Sequence, residues 1–286
     1  MSGNLKLANI NADIFIPDKI SFLKAASRTT HMAIGAHQDD IELLAFHGID
    51  ACFKQKNLWF TGVTVTDGRG SPRSGIYADY KDNEMAVVRR DEQCKAAVVG
   101  EYSMQVQLGY TSDVVKSHST KLVKDLELLL RQNQPEILYL HSIFDFHATH
   151  IAVVSAAIEA LKKIPLNQRP KQVFGVEIWG SLDWLPDIAK IVLNTSGREY
   201  LLAALLGVYD SQIGGGKRYD QAQLGRLKAN ATFANHSEVD QLTGCQYAVN
   251  LLPLIENDGP TLKEYIDYLV LRFKQQVIER LNEYGY

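Results

Sequence analysis

A chain of 286 residues with 46% hydrophobic content can bury a substantial core as one domain, since α/β folds often run past 200 residues. Its formal net charge of −3, with no block of Lys and Arg, excludes a nucleic-acid surface and points to a small-molecule partner. Residues 1–18 hold scattered polar side chains and no apolar signal core, and no apolar run approaches the roughly 18 residues of a membrane span, so a cytoplasmic protein without a transmembrane segment is expected.

In chain order, strand-like runs at about 31–36, 58–66, 104–109, 136–141 and 173–179 alternate with helical patterns at about 40–55, 79–99, 117–133 and 150–163. Leu122, Leu126, Leu129 and Leu130, for example, share one helical face. Strands joined by single-helix crossovers predict an α/β fold, a Rossmann-like three-layer sandwich with a mostly parallel sheet. After Pro186 an apolar run at 188–193 gives way to helices near 197–208, 219–235 and 261–283, with one more short strand at 249–253. No Pro/Gly-rich linker divides the chain, so 1–286 is expected as a single domain with an α/β core at about 30–196 and a C-terminal helical cap at about 197–286. The last helix carries an apolar stripe, Tyr265, Leu269, Phe273, Val277 and Leu281, which packs on the core or on another subunit and leaves a homo-oligomer open. Cys52, Cys94 and Cys245 are odd in number and widely spaced, the pattern of reduced thiols.

Two clusters carry the chemistry. His37-Gln38-Asp39-Asp40 follows the first of these strand runs, and His141 with Asp145-Phe146-His147-Ala148-Thr149-His150 follows the fourth, so in a parallel sheet both emerge at its ligand-binding edge. A catalytic zinc takes three ligands of the N/O type and keeps one position for water, whose pKa it lowers to about 7. His37, Asp40 and His150 can supply that set, although spacing alone leaves His147 and Asp39 as equally good candidates. Three of the eight histidines fall within 141–150, a density that favours a metal site over scattered packing roles. Either Asp could also cap the helix beginning near residue 41, and Glu42 in its first turn suits the helix dipole. His141 reads as a supporting or packing residue.

The motifs Ala36-His37-Gln38-Asp39-Asp40-Ile41-Glu42 and His147-Ala148-Thr149-His150 resemble the A-H-P-D-D-x-E and H-x-D-H signatures of the LmbE/PIG-L family of zinc-dependent N-acetylsugar deacetylases. The resemblance extends through Thr64-Val65-Thr66-Asp67-Gly68 and the stretch at 88–93, and more faintly through 205–212. It implies that His37, Asp40 and His150 hold Zn2+, that Asp39 is the general base, and that His147 steadies the oxyanion or protonates the leaving amine. Arg89 would reach substrate hydroxyls, though an Arg beside Asp91 and Glu92 also reads as a surface ion-pairing residue. The implied activity removes an acetyl group from an N-acetylated amino sugar or its conjugate.

Three positions depart from the pattern. Gln38 replaces a proline, Thr149 stands where an Asp usually orients the catalytic His, and Tyr209-Asp210-Ser211-Gln212 replaces H-R-S-Q. Asp145, behind the ligands, is the expected substitute partner for His147. Thr149 favours the rival reading, a non-catalytic or weakly catalytic metal-containing sugar-binding protein. The Gly-rich loop from Asp67 to Gly75 fits a lid or a solvated connection, and it lacks the spacing of a nucleotide cradle, which disfavours a nucleotide-dependent transferase. Lys217 and Arg218, after Gly214-Gly215-Gly216, flank a turn able to visit the same pocket.

Overall fold

The computed structural model describes residues 5–234 and 238–286. Eight strands form one sheet: β1 (Asp13–Phe15), β2 (His31–Gly35), β3 (Phe60–Thr66), β4 (Met104–Tyr110), β5 (Ile137–His141), β6 (Gln172–Val176), β7 (Lys190–Asn194) and β8 (Cys245–Asn250). Their spatial order is β1-β4-β3-β2-β5-β6-β8-β7. The five central strands, β4 through β6, run parallel, while β1, β8 and β7 pair antiparallel. The result is a mixed α/β fold with a mostly parallel sheet and, among the described residues, eleven α-helices.

Burial on both faces explains why the central strands read as unbroken apolar runs rather than as alternating ones. Every residue of β2 and β3 is buried. Along β2, Met32 and Ile34 enter one core cluster with Leu126, Leu130 and Val153, whereas Ala33 enters a second with Phe46, Ile49 and Leu205. Successive strand side chains point to opposite faces, so each cluster belongs to one side of the sheet.

Several sequence expectations need adjustment. The helix expected over 40–55 is two, Asp40–Leu44 and Phe46–Cys52, divided at Ala45. The region expected as a helical cap also returns β8 to the sheet, between β6 and β7. The stripe on the helix Leu262–Glu283 is buried at Tyr265 and Leu269, Phe273 packs edge-on against Trp184, and Val277 and Leu281 are exposed. No helix among the described residues is long and apolar enough to cross a membrane. Cys52, Cys94 and Cys245 are free thiols.

His31 opens β2 at the edge of the sheet away from the clusters, with its Nδ1 3.0 Å from Thr30 Oγ1 and its ring stacked on Tyr139. Burial, with His47 nearby, pushes its imidazole down to about 4. The unfolded chain binds this proton near pH 6.5 and the folded protein does not, so stability is complete above that pH and falls as pH drops toward 4. His31→Gln should flatten the dependence in this window by on the order of 1–2 kcal/mol, read from urea midpoints. An unchanged slope in the variant would show that His31 is not the group responsible.

Candidate active site

The chain steps from β2 through β3 to β4 on one side and from β5 to β6 on the other, so a crevice opens beyond the C-terminal ends of β2 and β5. His37 lies just past β2, and Asp40 is the first residue of the helix that follows. His141 closes β5, His147 precedes the helix Ala148–Lys162, and His150 sits in that helix's first turn. Two residue clusters about a hundred positions apart thereby face each other.

Three of these side chains form a nearly regular triangle. His37 Nδ1 lies 3.2 Å from Asp40 Oδ2, His150 Nε2 lies 3.3 Å from the same oxygen, and the two imidazole nitrogens are 3.3 Å apart. Ligand atoms on a tetrahedral zinc, with bonds of about 2.0–2.1 Å, are separated by roughly 3.3 Å, so the donor set fits such an ion without rearrangement. His147 and His141 stand close by, and the trios His37, His147, His150 and Asp40, His141, His150 also bring ligand atoms within 4.8 Å of one another. His141 is otherwise engaged. Its Nε2 accepts the Ala36 N–H at 2.9 Å, and its ring stacks on His150 with centroids 3.8 Å apart. Burial and the neighbouring His150 push His141 down to about 4, which keeps it neutral.

Burial would raise the carboxyl of Asp40, but the imidazoles of His150 and His141 outweigh it and hold the group well below the usual range. Asp39 moves the other way: burial raises it, Arg89 opposes, and the charge of Asp40 adds to the rise. Its backbone is strained, with φ 92° and ψ −30°, and its side chain makes no capping hydrogen bond. The capping explanation for Asp39 therefore fails, and its carboxylate is free to face the cavity beside the triangle.

Arg89 is 1% exposed, which removes the surface ion-pair reading. Its Nη2 donates to Asp39 Oδ2 at 2.8 Å and to the Gln38 carbonyl, and its Nη1 donates to Glu92 Oε2 at 2.8 Å. Both ends of the guanidinium are thus committed to protein groups rather than left open for sugar hydroxyls. Ser211 closes the network by donating both its N–H and its hydroxyl to Glu92, at 2.8 and 2.9 Å. Glu42 is no surface complement to a helix dipole. It is fully buried, accepts from Tyr209, Tyr102 and Gln93, and is pushed up to about 7 by burial against those donors.

Asp145 does not replace the missing partner of His147. Its Oδ2 lies 3.2 Å from His150 Nδ1, and its Oδ1 accepts the backbone N–H of His147 at 2.8 Å. The His147 Nδ1 is buried without a hydrogen-bond partner, and burial together with His150 and His37 lowers that imidazole. A threonine at 149 leaves this nitrogen unsupported.

A cavity of about 530 Å³ rises over the cluster. The loop after β3 supplies Asp67 to Pro72 of its wall, and Ser74 Oγ donates to the Gly214 carbonyl at 2.8 Å, so this loop is docked on the Gly-rich turn and is not a free solvated connection. Gly68 has φ +71°, and a Cβ there would come within 2.3 Å of Gln38 Oε1, which fixes glycine at the point where loop and floor meet. Trp179 and Tyr219 add an aromatic corner, with Trp179 stacked 6.4 Å from His147. Sequence reasoning missed both, although Trp179 ends a strand-like run pointing at the same sheet edge. A larger cavity, about 670 Å³ between Lys190, Arg226 and Tyr247, contains none of the cluster. His118 pairs with Glu159 at the surface, and His236 lies outside the described residues.

Residues 32–161 match the family model described as PIG-L: GlcNAc-PI de-N-acetylase. The chain carries a PIG-L (LmbE-like) family domain. It is 25% identical over 181 residues to the uncharacterized deacetylase YaiS of Escherichia coli (strain K12), across 61% of this chain and 88% of that protein. The fold is similar to N,N'-diacetylchitobiose deacetylase from Pyrococcus horikoshii, with TM-score 0.60 and 15% identity over 77% of this chain and 84% of that one. It is equally similar to GalB, the 4-carboxy-2-hydroxymuconate hydratase of Pseudomonas putida, with TM-score 0.59 and 16% identity over 79% and 96%. One architecture thus serves a deacetylase and a hydratase, so the PIG-L fold by itself does not fix the reaction.

Proposed function

We propose that this PIG-L domain is a zinc-dependent deacetylase that hydrolyses the N-acetyl group of an amino sugar or its conjugate to acetate and free amine. The observation that carries the reading is the triangle of His37, Asp40 and His150 donors, 3.2–3.3 Å on a side, with Asp39 beside it at the floor of a cavity. Zn2+ held there would supply Lewis acidity and make water a nucleophile near neutral pH. Asp39, kept in place by Arg89, would receive the proton that water gives up as it attacks the amide carbonyl. His147 would donate to the carbonyl oxygen as charge grows on it, and then to the nitrogen as the C–N bond breaks. Asp145 would orient His150, and helices on both faces of the sheet support a Rossmann-like three-layer frame for the site.

The match of residues 32–161 to a de-N-acetylase family supports hydrolysis over hydration. The unpartnered His147 Nδ1 supports a second reading, a metal-containing sugar binder with weak turnover. An acetate-release assay on N-acetylglucosamine, its phosphates and chitin oligomers separates the two. The expected result is acetate release that a chelator abolishes and Zn2+ restores, whereas sugar binding with no acetate from any substrate would favour the binder.

A further inference from the structure

The cavity mouth carries charge of the opposite sign to the chain as a whole. Three acidic residues line the cavity, Asp39, Asp40 and Asp67, and all three are engaged: Asp39 by Arg89, Asp40 by the imidazoles, and Asp67 by Arg69 Nε at 2.5 Å. Against them the rim gathers Arg69, Lys116 and Lys217 from three separate segments: the loop after β3, the helix Ser112–Lys116 after β4, and the turn after the helix Asp210–Ile213. The ion pair of Lys116 is with Asp113, which is 94% exposed, so solvent weakens it. Lys217 Nζ has no hydrogen-bond or ion-pair partner among the described residues. It rests 5.5 Å from the centre of the Trp179 ring, itself 6.4 Å from the ring of His147. The ammonium is therefore no farther from the reacting floor than those two distances end to end, the reach of one pyranose with its substituent. In a protein of net charge −3, such a convergence focuses the field for an anion.

We propose that the substrate is an N-acylated amino sugar bearing an anionic oxygen group, phosphate or carboxylate, on the part that passes Lys217 and Lys116. This rests on the deacetylase reading and narrows its substrate class. Lys217 makes the principal contact, Lys116 the second, and Trp179 holds the Lys217 stem beside the sugar.

The test is calorimetric titration of the zinc-loaded protein and of its Asp39→Asn variant, which should bind without turnover. The probes are N-acetylglucosamine 1-phosphate, the N-acetylglucosaminide of glycolic acid, and the neutral methyl N-acetylglucosaminide. At low salt at least one anionic probe should bind about tenfold more tightly than the methyl glycoside, and high salt should erase most of that margin. The preferred probe tells phosphate from carboxylate. Lys116→Gln/Lys217→Gln should bring the ratio of anionic to neutral affinity close to one. Equal binding of all probes, a preference that survives the double substitution, or no binding by any probe at millimolar concentration would overturn the proposal. Acetate release from the methyl glycoside without anionic preference would sink this inference alone, while anionic preference without acetate from any probe would sink the deacetylase reading instead.

Discussion

Asp39→Asn is expected to keep its zinc and lose about 10²- to 10⁴-fold in kcat, the usual worth of a positioned general base. The amide is nearly the same size and can still accept from Arg89 Nη2, so the triangle of His37, Asp40 and His150 should survive. His150→Ala removes one corner of that triangle and strips Asp40 of its strongest charge partner, and it should lose most bound metal along with activity. Zinc content by elemental analysis, beside acetate release, distinguishes the two variants. Equal metal loss in both would make Asp39 a ligand and undo the division of roles.

Arg89→Met is the most disruptive single change expected outside the donor set. It leaves the carboxylates of Asp39 and Glu92 buried without their shared cation, a loss of about 3–5 kcal/mol when one partner of a buried pair is removed. It also withdraws the main influence opposing the rise of Asp39 in pKa, so the base should be protonated at higher pH and the acidic limb of the kcat profile should move upward. Arg89→Lys should retain part of both effects. Had the guanidinium served to grip sugar hydroxyls, the same substitution would raise KM while leaving melting temperature and the pH limb alone, which is the outcome that would restore that role.

The donors at the metal-binding floor were legible because each follows an apolar strand run closely: position in sequence nearly dictates position at the sheet edge. Their supporting residues were not. Arg89 reads as a solvated ion-pairing residue until Asp39, fifty positions earlier, is seen to accept from it, and Glu42 reads as a helix-dipole carboxylate until Tyr209, 167 positions later, is seen to cover it. Periodicity reports which face of an element is buried but not which polar group meets it there. Asp145 shows the limit at short range, since its carboxylate turns to His150 rather than to the imidazole of His147 two residues away. Strand β1, only three residues long, carries too few side chains to show a period, whereas β5 and β6 announce themselves as unbroken apolar runs.

The placement of β8 bears on the order in which this protein can finish folding. Glu177, at the end of β6, binds the Tyr247 N–H of β8 at 3.0 Å, Asn230 at 2.6 Å and the Leu182 N–H at 2.8 Å, and so ties down the segment that carries Trp179. Residues 31–161, with all the donors, emerge from the ribosome long before residue 245 does, yet one wall of their cavity waits for that late strand to slot between β6 and β7. A nascent chain released before β8 would hold a complete set of ligands in a pocket open on one side, and maturation of the site would lag behind formation of the central strands.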